Sequence, residues 1–189
     1  MDVIVRVVSN QKVLGLTRFA SRRLATIDIY YKVLDDPVYI EAVLNHELVH
    51  ARACEVFNKS NCDEPANFKG LDIVMPIAEK LLQSMPERQD PILYNLYSGL
   101  DNYVGYCEYH NMCNSEEMIL HVYSILYILV FKYNHKELEQ DYKKVLDVLK
   151  MNGFPLPEKG IYYCPSIKLE VWNPELRDFL SKFYKPNVQ

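Results

Sequence analysis

Apolar and polar residues alternate in DVIVRVV (2–8) and again in LATIDIYYKV (24–33), and both runs are rich in β-branched side chains. A period of two with that composition predicts two strands. Between them, LGLTRFASRR forms a turn or a further short strand. From residue 36 the pattern changes, in DDPVYIEAVLNHELVHARACEVFNK. Asp36 suits an N-cap, and Pro37 suits the first helical position, where its missing N–H would be unpaired in any case. Nothing breaks a helix from 38 to about 57, and Ile40, Val43, Leu44, Leu48 and Val49 give it an apolar face. Further helices are expected over about 66–85 with a kink at Pro76, over 91–110, over 115–133 and over 135–151. Gly99 and Gly105 are weak points of the third helix. IYYCPSIKLEVW adds a strand or hairpin, and Asn173-Pro174 caps a last helix to about 184. A small N-terminal sheet followed by a predominantly helical body places the chain in the α+β class, and 189 residues suit a single domain over 1–189.

Composition narrows the partners. Hydrophobic residues make up 49% and charged residues 24%, with a net charge of −4. No Lys/Arg cluster forms a patch, which argues against nucleic acid as the main partner. MDVIVRVVSN lacks the basic start and long apolar stretch of a secretory signal, and MILHVYSILYILVF (118–131) is too short to span a bilayer. A soluble intracellular protein with no membrane association is expected. Five cysteines without a CxxC pair give neither a secreted disulfide framework nor a structural zinc site. Buried free thiols are the simplest expectation, and a Cys107–Cys113 bridge is the alternative for a source that keeps disulfides inside the cell.

The chemistry concentrates in NHELVHA (45–51). On a helix, residues four apart share a face, so His46 and His50 project side by side, roughly 5–6 Å apart at Cβ. Two imidazoles so placed can bind one Zn²⁺ at ~2.0–2.1 Å each. Glu47 stands beside such an ion without having to ligate it, where it can take a proton from a metal-activated water and pass it to a leaving amine. With five histidines in the chain, HExxH arises by chance about once in a hundred such sequences. The match also falls within a capped helix that follows a strand.

On these residues the chain resembles the zincin metallopeptidases, whose HExxH motif stands intact as His46, Glu47, Leu48, Val49 and His50. The resemblance extends moderately to LATIDIYYKV, since in zincins an edge strand before the helix lines the cleft and pairs with an extended substrate backbone. It covers about a fifth of the chain. It implies a Zn²⁺ cofactor, a protein or peptide substrate, and Glu47 as general base and then general acid in hydrolysis of a peptide or isopeptide bond.

A two-histidine site needs a further protein ligand. The metzincin extension fails, because Ala53 and Val56 occupy its glycine and third-histidine positions. A glutamate on a later helix, as in the gluzincin branch, fits better. In NSEEMILHVYSIL, Glu117, His121 and Ser124 form one polar stripe on an otherwise apolar helix, which is costly to bury without partners. Glu117 is therefore the expected third ligand and His121 a supporting group or transition-state donor. Asn114 and Glu117 also have the spacing of a capping box, which gives Glu117 a purely structural alternative. Glu116, Glu64 and Glu79 remain rivals. The region of Glu64 is similar to SprT-like zincins in having Phe68 before a helix, but the histidine and the zinc ribbon of that family are absent. Cys54 is expected to pack beneath the site, and Tyr106, Tyr109 and His110 are further donors to consider. The alternative to a peptidase is a zincin scaffold that binds metal as a sensor or interaction module with little turnover.

Overall fold

The structure, a computed structural model, describes residues 1–184. The architecture is α+β, with one four-stranded sheet and six α-helices among the described residues. The chain packs as two compact units, Met1–Glu64 together with 159–184, and Pro65–Glu158.

The first unit contains the sheet, in the order β2-β3-β1-β4. Strands β1 (Asp2–Val8) and β3 (Leu24–Tyr30) pair in parallel, from Asp2 opposite Leu24 to Val8 opposite Tyr30. β2 (Gly15–Ser21) runs antiparallel along the outer side of β3, with a register shift between Phe19 and Ser21. β4 (Lys168–Val171) pairs in parallel with β1 on the opposite side. Val3, Val5, Ala25, Ile27 and Ile29 are fully buried, as alternation requires of the face turned inward. On β3, the buried carboxylate of Asp28 is held by Arg6 through both oxygens, at 2.8 and 3.0 Å, and by Arg18 at 2.6 Å.

The strand that the zincin resemblance casts as a cleft-lining edge is internal, because β3 lies between β2 and β1. The stretch read as turn or short strand is the edge strand β2. Residues Tyr31–Asp35 close the strand with a turn of 3-10 helix. Then α1 (Pro37–Val56) begins as its sequence dictates, with the Asp36 carboxylate accepting from the Val38 N–H at 2.8 Å. It is buried nearly all round rather than along one stripe, from Tyr39 through Val49. The unit ends with α6 (Pro174–Leu180), capped by the Asn173 side chain at 2.9 Å from the Leu176 N–H.

The second unit is helical, with α2 (Leu71–Ser84), α3 (Pro91–His110), α4 (Ser115–Phe131) and α5 (Glu139–Met151). α2 starts five residues later than the apolar pattern suggests, for a local reason. The N–H groups of Ala66, Phe68 and Lys69 are taken by the side chains of Glu116, Ser115 and Asn152, at 2.8–2.9 Å. Gly70 then adopts a left-handed conformation, φ 94°, that a side chain would strain. Gly99 and Gly105 leave α3 unbroken. No described helix is long and apolar enough to cross a membrane.

The cysteines depart from the expected free thiols. Cys54 pairs with Cys62 and Cys107 with Cys113, and Cys164 is free and buried. The first bridge ties the last turn of α1 to the loop after it. The second closes the turn that follows α3. Both link residues fewer than ten apart, so each needs only a local reversal of the chain.

Candidate metal centre

The middle of α1 brings the three motif residues together. One ligand atom from each of His46, Glu47 and His50 lies within 4.8 Å of the others. The two imidazoles meet edge to face, with ring centroids 4.9 Å apart and planes at 60°. His46 and Glu47 are each only 5% exposed, and His50 is somewhat more open. Glu47 Oε2 stands 3.8 Å from His46 Nε2. Two imidazoles and a carboxylate on one covered helix form a donor set that suits Zn²⁺, whose preferred ligands are nitrogen, sulfur and carboxylate oxygen. The chemistry of these side chains and their spacing on one helix fit such an ion.

Two neighbours fix this stretch of helix. Asn45, fully buried, donates its amide to the Gly160 carbonyl at 2.9 Å and accepts from the Tyr162 N–H at 2.8 Å. It thereby fastens α1 to the chain that leads into β4. Tyr184 braces the same chain, its hydroxyl donating to the Tyr162 carbonyl and accepting from the Cys164 N–H. On the other side, Thr17 of β2 donates its hydroxyl to Glu47 Oε1 at 2.8 Å. The sequence gives no hint of this contact. Thr17 precedes Glu47 by 30 residues and lies on a strand whose inward face shows only in the fold.

Of the other residues singled out from the sequence, Cys54 and Glu64 belong to the first unit and the rest to the second. Glu117 sits in the first turn of α4, where its N–H is capped by Asn114 at 3.1 Å, and its side chain is 22% exposed. Its carboxylate approaches His121 Nδ1 to 3.2 Å, and the Glu117 carbonyl lies 2.7 Å from the same nitrogen. A carbonyl can only accept, so the proton of that contact is donated by His121 Nδ1. Tyr103 packs against the His121 ring at 5.3 Å, and Gly99 leaves it room. Ser124, the third member of the stripe, is fully buried. Glu116 is structural, because its buried carboxylate accepts from the Ala66 N–H. Glu64, Glu79, Tyr106, Tyr109 and His110 are exposed. Cys54 lies one turn beyond His50 and is buried, as expected, but its sulfur is committed to Cys62.

Comparison with protein-family models, with curated proteins and with solved structures gives no match.

Proposed function

We propose that the chain is a zinc-dependent metallopeptidase in which His46 and His50 hold the ion and Glu47 moves the proton. The observation that carries this reading is the convergence of His46, Glu47 and His50 within 4.8 Å on a buried helix. When bound, Zn²⁺ supplies Lewis-acid polarisation of a carbonyl and lowers the pKa of a water in its open position. Glu47 takes a proton from the attacking water and returns it to the amide nitrogen as the C–N bond breaks. No acyl-enzyme is required, since water itself is the nucleophile. Among the described residues β2 has β3 as its single sheet neighbour, and its outer edge offers backbone groups to an extended substrate.

Glu117 is part of the proposal as third protein ligand, on the sequence argument. Support from its own unit is limited to a partly exposed carboxylate on a helix that is otherwise almost wholly buried. His121, held by Glu117 and packed against Tyr103, enters the proposal on the same sequence argument, as a supporting group or a donor to charge that develops on the substrate.

The test is hydrolysis of fluorescein-labelled casein by wild type and by Glu47→Gln, with zinc content measured on both. The expected result is full metal content in both and a rate at least ~10³-fold lower in the variant. Metal bound with no Glu47-dependent hydrolysis would replace the peptidase with a metal-binding module.

A further inference from the structure

We infer that Thr17 is a positioning residue for Glu47, and that it selects Oε2 as the oxygen that accepts the proton. The inference rests on the reading of Glu47 as the base and adds to it a strand that the motif does not contain.

Strand β2 meets α1 at the Glu47 side chain. Gly15, Thr17 and Phe19 turn the same way from the strand, and their neighbours Leu16, Arg18 and Ala20 are exposed. Thr17 Oγ1 is 2.8 Å from Glu47 Oε1 and 3.3 Å from the Glu47 carbonyl. The hydroxyl has one proton, and the shorter contact to the charged oxygen is the stronger. Oε1 is thus occupied. Oε2 is the oxygen 3.8 Å from His46 Nε2, on the side where a metal ligand stands.

Gly15 completes the device. A Cβ at Gly15 would lie 2.7 Å from Glu47 Cγ and 2.8 Å from Oε2, well inside contact distance. Bare backbone therefore lies against one flank of the carboxylate while the Thr17 hydroxyl holds its far oxygen. A long, flexible glutamate side chain has many rotamers, and a base that must meet one water gains from losing them before substrate arrives. Two residues on one strand face, two apart, remove that freedom here.

The test has two readouts on the full chain. The first is a double-mutant cycle in unfolding equilibrium with Thr17→Val, Glu47→Ala and the pair, on metal-stripped protein, so that neither zinc nor turnover enters. A hydrogen bond to a charged oxygen predicts a coupling of roughly 10-fold in the unfolding constant. The second is casein hydrolysis by zinc-loaded Thr17→Val and Thr17→Ser. Thr17→Val is expected to keep its zinc and KM and to lose roughly 10–100-fold in kcat, and Thr17→Ser, which retains the hydroxyl, to recover most of that loss. Absence of coupling overturns the inference. So does a wild-type kcat in Thr17→Val when Glu47→Gln is inactive. If wild type shows no Glu47-dependent hydrolysis, the peptidase reading itself fails and the role assigned to Thr17 falls with it, and the coupling then reports a structural contact alone. Should Thr17→Val not fold, Thr17→Ser with a kcat lowered as far as that of Glu47→Gln would also contradict the inference.

Discussion

The side chain of Asn45 and the backbone of Tyr162 form a buried hydrogen bond of 2.8 Å across 117 residues of sequence. The same amide donates to Gly160, so one side chain satisfies two backbone groups on a segment that belongs to neither helix nor sheet. Asn45 directly precedes His46, so this clip anchors α1 at the residue next to the histidine pair. Asn45→Ala leaves an acceptor and a donor buried without their partner. It is expected to destabilise the protein by about 3 kcal/mol, read from urea unfolding. A loss under ~1 kcal/mol would mean that water replaces the amide there.

Gly99 of α3 lies directly against the imidazole of His121 on α4. A Cβ at Gly99 would lie 2.7 Å from His121 Nε2. Alanine favours a helix over glycine by ~1 kcal/mol, yet Gly99→Ala should destabilise by about 1–3 kcal/mol, because the imidazole is held by Glu117 and Tyr103 and has to shift. Thermal denaturation checks the sign. A rise in Tm would show that His121 moves freely.

The two disulfides give a count of thiols. Denatured, unreduced protein should expose one thiol per chain, Cys164, and reduction should raise the number to the five cysteines of the sequence. Replacing Cys54 and Cys62 together by alanine should cost about 2–3 kcal/mol by loop-closure entropy, measured without reductant. Five reactive thiols in unreduced protein would remove both bridges.

His135 lies between two carboxylates, 3.1 Å from Glu87 through Nε2 and 2.9 Å from Glu137 through Nδ1. Burial acts against the charged ring, but the hydrogen bonds and charges of Glu87 and Glu137 outweigh it, and the pKa is raised above the ordinary histidine value. A group whose pKa is raised on folding stabilises fully below its unfolded pKa of ~6.5, and that contribution disappears as pH rises through the folded value. The urea midpoint should therefore fall as pH increases from about 6.5, and His135→Gln should flatten that part of the profile. An unchanged slope in the variant would assign the pH dependence elsewhere.

Much of the fold was legible because its signals are local. Asp36-Pro37 and Asn173-Pro174 place helix starts through a cap and a pre-set φ, and both caps form as expected. β1 shows itself by alternation. What escaped depends on distant partners. β2 was ambiguous as turn or strand because half of its residues face outward and its identity comes from pairing with β3. The start of α2 escapes the apolar pattern because side chains at the start of α4 and just past the end of α5 capture the preceding N–H groups. Cys107–Cys113 was open to the sequence as the alternative to free thiols, and it forms; Cys54–Cys62 was hidden, because spacing alone does not show that the loop after α1 folds back on its last turn. Of the candidate site, the HExxH spacing was fully readable, since a single helix carries it. Thr17 and Asn45 were not, because their partners lie 30 and more than a hundred residues away.

The central claim is that His46 and His50 hold zinc, and metal content by mass spectrometry on untagged protein tests it most directly. Wild type, reloaded with zinc and dialysed, should carry about one zinc per chain, and Glu47→Gln should retain it. His46→Ala should lose it, and Glu117→Gln should weaken it. Zinc absent from wild type, or retained in full by folded His46→Ala, would contradict the account.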